Sequence, residues 1–216
     1  MSSTDYTKLT VTNTSTETVE VFVTFAADNP NNQCCPTPAA VGDFPFLTEM
    51  TSLRGKFSLA AGKSQEFDPQ GKCFSGNIGF YIEPKCPVEG ANFHHGAQGT
   101  NIGEFTLNPN QPCYEAFDVS CVNGINCYMQ MSVDQDDWYY GPDNTPITSI
   151  QNNALQQNSG NPGVYPVNCT DCVRLVGAAP CSSLPVGPAQ TSRICNVQRS
   201  GRGGTLTITL LPDPTA

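Results

Sequence analysis

The sequence predicts an all-β fold, an antiparallel β-sandwich with long loops and one small irregular lobe. Apolar residues recur at every second position in run after run, the period of a strand with one buried face. Glycine and proline, 19 and 18 of the 216 residues, cut the chain into short elements, and only 13% of residues are charged. No sustained helical period and no internal repeat competes with this pattern. About nine or ten strands are expected, enough for a two-layer sandwich.

In chain order, Leu9 and Val11 form the first strand and Val19, Val21, Val23 and Phe25 the second. Asn13 to Thr16 between them reads as a hairpin turn. Residues 28–46 are too rich in Asn and Pro for regular structure and are expected as a long loop. Phe57 and Leu59, a turn at Ala61-Gly62, and Phe67 form a second strand pair. Ile78, Phe80 and Ile82 form a strand stopped by Pro84, and a Gly/His loop follows from Gly90 to Gly99. Residues 100–133 carry three strand runs: Phe105 and Leu107, then Phe117 and Val119, then Met129, Met131 and Val133. After Asp134 the chain turns acidic and then Asn/Gln-rich. Thr145-Pro146 with Ile147, Ile150 and Leu155 fits the start of one short helix, proline at its first position. The last strand is Leu206, Ile208 and Leu210, closed by Pro212. Residues 1–133 plus 200–216 therefore read as the sandwich core, with 134–199 a loop-rich, cysteine-containing insertion packed on it.

Ten basic against 19 acidic residues give a net charge of −9, so nucleic acid is not an expected partner. Arg199 and Arg202, set among glycines, read as a solvated turn. No apolar run approaches the roughly 20 residues needed to span a bilayer, so no membrane partner is expected either. No Gly-Lys-Ser/Thr phosphate loop and no Gly-x-Ser-x-Gly elbow occurs, and no cofactor is expected.

Eleven cysteines suggest a disulfide framework. The adjacent Cys34 and Cys35 are expected to join different partners. The N-terminus has no basic region followed by an apolar one, so two compartments stay open. The chain is secreted if a signal was removed, and intracellular if Met1 is the native start. Asn13-Thr14-Ser15 and Asn168-Cys169-Thr170 match the glycosylation sequon. Cys169-x-x-Cys172 with Cys181 and Cys195 has the first half of a zinc spacing but lacks the second; disulfides or buried thiols are the alternative. His94-His95 reads as an exposed loop.

Six segments resemble the thaumatin-like proteins. Glu104 to Leu107 matches the family's Glu-Phe-Ser/Thr-Leu run, Phe117 to Ser120 its Tyr-Asp-Val-Ser, and Asn123 to Asn126 its Asp-Gly-Phe-Asn. Val11 to Val21 resembles the first hairpin. Leu59 to Ser64 and Thr207 to Pro212 resemble a Leu-x-x-Gly-x-Ser turn and the closing strand. The resemblance spans about half the chain in the right order and implies the sandwich. It departs in its cysteines: the bridge that joins first hairpin to last strand falls near Ser15 and Leu211, and only Cys86 sits near a family cysteine.

The family carries an acidic cleft of one Arg, one Glu and three Asp. Here Glu104 and Asp118 match the Glu and first Asp, Asn123 stands at the second Asp, and the Arg falls near Glu83. The third Asp has no counterpart. The resemblance thus implies a polysaccharide-binding cleft of Glu83, Glu104, Asp118 and Asn123, of β-glucan type and without chemistry, in a defence-related role. Trp138, Tyr139 and Tyr140, beside Asp136 and Asp137, are candidate aromatic contacts for sugar or protein, or rings that cover the sandwich end. One alternative is a structural, self-associating protein that reuses the sandwich. A weak glucan hydrolase, with Glu104 and Asp118 as acid and base, is the other.

Overall fold

Two sheets pack face to face, and the residues that alternate along the sequence are those that fill the space between them. The computed structural model describes residues 6–82, 100–120, 126–140, 145–151, 156–158, 164–165, 172–174 and 197–212. Among these are seventeen strands, one 3-10 turn at Val41–Asp43 and no α-helix.

The smaller sheet contains β1 (Lys8–Asn13), β5 (Ser64–Phe67), β9 (Tyr128–Val133), β12 (Ser149–Gln151) and β17 (Thr205–Leu211), in the order β12-β9-β17-β1-β5. The larger contains β2 (Val19–Phe25), β3 (Thr48–Thr51), β4 (Arg54–Leu59), β6 (Phe74–Tyr81), β7 (Ile102–Leu107) and β8 (Glu115–Ser120). Four short strands extend it: β10 (Tyr139–Tyr140), β11 (Thr145–Pro146), β14 (Val164–Tyr165) and β16 (Val197–Arg199). Its order is β11-β10-β16-β8-β7-β6-β2-β4-β3, with β14 also on β8. A separate pair joins β13 (Gln156–Asn158) to β15 (Cys172–Arg174). Pairing is antiparallel except between β1 and β17, which run parallel with Val11 opposite Ile208.

The expected sandwich is therefore present, but two expected hairpins are not. β1 and β2 lie in different sheets, and so do β4 and β5. Alternation reports that one face of a strand is buried; it does not report which strand lies beside it. Both crossings meet at Asn13, which is fully buried: its Nδ2 donates to Glu17 O at 2.8 Å and to Leu59 O at 2.9 Å, and its backbone O accepts from Gly62 N. Gly62 sits at φ +68, a backbone conformation that favours glycine there. The sequon at Asn13 is accordingly closed to modification in the folded chain.

Over residues 145–151 the expected helix is also replaced by strand, while Leu155 lies outside the described residues. Thr145–Pro146 pairs with β10, Ile147 N donates to Trp138 O, and Ile150 pairs with Met131. The three-residue spacing of Ile147 and Ile150 suits a helix turn, but sheet edges supply partners for this backbone instead. β11 is a sheet edge, where proline's missing N–H costs no ladder bond.

The long loop 28–46 is largely irregular as expected, and it plugs one end of the sandwich. Phe44 lies 5.1 Å from the rings of both Phe67 and Phe74, and Phe46 lies 4.9 Å from Phe67. Cys34 bridges to Cys113 and Cys35 to Cys73, so the adjacent cysteines do take different partners.

Arg199 is not in a solvated turn. Its side chain is 1% exposed and its Nε donates to Glu115 Oε2 at 2.7 Å. The same guanidinium donates to Gln135, Asp137, Thr7 Oγ1 and Gly203 O, and stands 4.3 Å above the Trp138 ring. Sequence proximity to glycines suggested exposure, whereas five donors met by acceptors from distant segments permit burial.

Candidate functional site

Register builds the site. Arg54 on β4 lies opposite Thr24 on β2, Thr24 opposite Asn77 on β6, Asn77 opposite Glu104 on β7, and Glu104 opposite Asp118 on β8. Each of these strands turns its apolar neighbours inward: Val23 and Phe25, Phe57, Ile78, Phe105, and Phe117 and Val119 are all core. With a side-chain period of two, the five polar residues must therefore share the outer face of the larger sheet. At strand spacings of 4.7–4.9 Å, the backbone of Arg54 stands about 14 Å from that of Glu104.

A groove of ≈ 390 Å³ runs over this face, lined by Thr24, Ser75, Asn77, Glu104, Thr106 and Asp118, with Ala26 and Ala116 as small side chains. Ser75 Oγ and Thr106 Oγ1 are 2.9 Å apart within it. Gly76 belongs to its floor, and a Cβ there would collide with Thr24 O, so this position requires glycine.

Glu104 and Asp118 are directly opposed, where Cβ atoms stand about 4.5–5.5 Å apart. Their carboxyls are hydrogen-bonded to each other. Burial first, then the Glu104 charge, then that hydrogen bond hold the Asp118 carboxyl well above the usual carboxylate range. Asp118 as a residue is half-buried, yet its Oδ1 is shut off from solvent and accepts no hydrogen bond. A buried acceptor left without a donor is costly. Carboxyls in hydrogen-bond contact are also closer than the roughly 5–5.5 Å or 6.5–9.5 Å separations of glycosidase pairs.

Glu104 and Asp118 are thus brought together as the sequence suggested, while Glu83 and Asn123 lie outside the described residues. So do His94, His95, Asn168, Cys169, Cys181 and Cys195; Cys172 is described only as backbone in β15. The candidate aromatic contacts divide. Trp138 is 1% exposed, packed edge-on to Phe117 at 5.1 Å and under Arg199, so its ring covers the sandwich end instead of facing a ligand. Tyr139 is half-buried in β10, and Tyr140 is described only as backbone of that strand.

Arg54 was missed from sequence because the strand was read from Phe57 onward. The alternation of Arg54, Lys56 and Ser58 with Gly55, Phe57 and Leu59 is the signal that finds it. Among the described residues no three His, Cys, Asp or Glu side chains converge as a metal set, and no helix is long and apolar enough to cross a membrane.

No family model matches the sequence, and no curated protein matches it. Among solved structures, a thaumatin-like xylanase inhibitor is similar at 16% identity and a TM-score of 0.44, covering 94% of this chain and 99% of that chain.

Proposed function

We propose that the outer face of the larger sheet binds polysaccharide, of β-glucan type, without cleaving it, in a thaumatin-like defence role. The observation that carries this reading is the groove itself, in which the hydroxyls of Thr24, Ser75 and Thr106, the amide of Asn77 and the carboxyl of Glu104 line one outer face of the sheet. Such hydroxyl, amide and carboxyl groups, spaced along adjacent strands, are partners for a polyhydroxylated chain. The contact between the two carboxyls favours binding over hydrolysis, because no room is left between them for a glycosidic oxygen or a water. The thaumatin-like segments of the sequence support the same assignment.

Retention on insoluble β-glucan, followed by titration with laminarin oligosaccharides, tests the proposal. Wild type is expected to be retained and Glu104→Ala to lose binding at least tenfold. No retention, or equal binding by Glu104→Ala, removes it. The self-associating alternative draws on β3, an edge strand with exposed Thr48, Glu49 and Thr51. Light scattering that shows a monomer at high concentration removes that alternative.

A further inference from the structure

We propose that Tyr114 is a stacking subsite at one corner of this groove. The flat face of an equatorially substituted pyranose lies on its ring, while the groove's hydroxyls and amide bond the sugar's edge. This rests on the polysaccharide-binding reading and adds the contact that selects the shape of the sugar ring.

A saccharide site needs an apolar surface as well as hydrogen bonds, because a β-glucose unit carries flat C–H faces inside its rim of hydroxyls. The rings that belong to the groove's lining, Phe25, Phe105 and Phe117, turn into the core and offer a ligand no face. Trp138 is buried as well.

Tyr114 supplies the surface by its position. It is 52% exposed, and among the described residues only Leu53 is another large apolar side chain as open to solvent. An exposed tyrosine is ordinary in itself; its place is not. Glu115 points into the sandwich, bonded to Thr7 and Arg199, whereas Ala116 points outward and lines the groove. One step back along the same two-residue period, Tyr114 falls on the side of Ala116, about 7 Å along the chain from it. Ala116 lies opposite Thr106 and Thr106 opposite Ser75, so the ring stands beside the β8 end of this hydroxyl-bearing row. Only the methyl group of Ala116 lies between.

The backbone that presents the ring is held in place. Cys113 is bridged to Cys34, and its N–H donates to Asn110 O at 3.0 Å. Asn110 N donates to Cys34 O at 2.7 Å, and Gln111 Nε2 to Ser200 O at 3.2 Å. A tyrosine has two side-chain torsions to fix, so stacking from this held turn costs little ordering.

Two measurements on the intact chain test this. During titration with laminarihexaose, the aromatic carbon-13 signals of Tyr114 should shift in step with the signals of Thr24, Asn77 and Thr106. Groove signals that move while those of Tyr114 stay fixed overturn the subsite and leave the binding reading standing. In calorimetry, Tyr114→Ala should bind the hexaose about three- to tenfold more weakly than wild type. Tyr114→Phe, which keeps the ring, should recover most of that loss. Wild-type affinity in Tyr114→Ala, or an equal loss in both variants, overturns stacking. A urea midpoint close to that of wild type shows that Tyr114→Ala is folded; if it is not, the carbon-13 titration of wild type decides. Wild type that gives neither heat nor any groove shift overturns the binding reading, and the subsite with it.

Discussion

Arg199 and Glu115 form an ion pair in which Nε donates to Oε2 at 2.7 Å while each side chain is 1% exposed. Glu115 Oε2 also accepts from Thr7 Oγ1, and Oε1 accepts from Asn108 N, so the carboxylate is met on both oxygens. The pair ties the start of β1, the turn before β8, the strand β16 and the approach to β17 into one polar knot inside an apolar sandwich. Removing one member strands the other, which is what makes a buried pair costly to break.

Arg199→Met is therefore expected to lose about 3–5 kcal/mol of stability in urea denaturation. Arg199→Lys should not rescue it, because an ammonium cannot reach Glu115, Thr7 and Gln135 with one planar fork. The double variant Arg199→Met with Glu115→Leu should recover part of the loss. Full stability in the single Met variant would show that the pair holds nothing together.

Asp118 has its carboxyl pushed up in the folded state, so the fold binds its proton more tightly than the unfolded chain does. Stability from this group is present at low pH and declines as pH rises from the ordinary carboxylate value toward the raised one. The slope reaches at most about 1.4 kcal/mol per pH unit. Asp118→Asn should remove that slope and raise stability at neutral pH. Thermal melts between pH 3 and 8 read both; parallel curves for variant and wild type would contradict it.

Arg54 shares the row but stands three strands from Glu104. A ligand that spans about 14 Å reaches both, and a disaccharide does not. Arg54→Ala is expected to weaken laminarihexaose binding and leave laminaribiose binding unchanged. Equal losses for the two ligands would mean that the row is not one site.

The Cys35–Cys73 bridge closes a separation of 38 residues and Cys34–Cys113 one of 79. On the loop-entropy account each contributes about 4 kcal/mol. Replacing Cys35 and Cys73 together by serine should lower the denaturation midpoint accordingly, and should loosen the loop that delivers Phe44 to the core. Unchanged hydrogen exchange across residues 28–46 would argue that Phe packing alone holds it.

Asn13, buried and bonded to Glu17 O and Leu59 O, should carry no glycan on folded protein secreted from a glycosylating host. Peptide mass mapping that finds Asn13 modified in folded material would contradict the burial of its side chain between Glu17 and Leu59.

By itself the sequence determined which faces are buried. Its two-residue period marks Val21, Phe57, Phe105, Phe117, Met131 and Ile208 as core, and punctuation by glycine and proline keeps the elements short, because both are local properties of the chain. It also marked Glu104 and Asp118, though as two carboxylates 14 positions apart and not as a bonded pair. Only the tertiary structure decided which strands are neighbours. It sent β1 and β2 into different sheets, buried Arg199 against Glu115 and set Arg54 in one row with Asp118. The physical reason is that alternation fixes the direction a side chain points, while pairing and register are set by which backbone edges meet across many intervening residues. A groove assembled from four strands exists only once those edges have met.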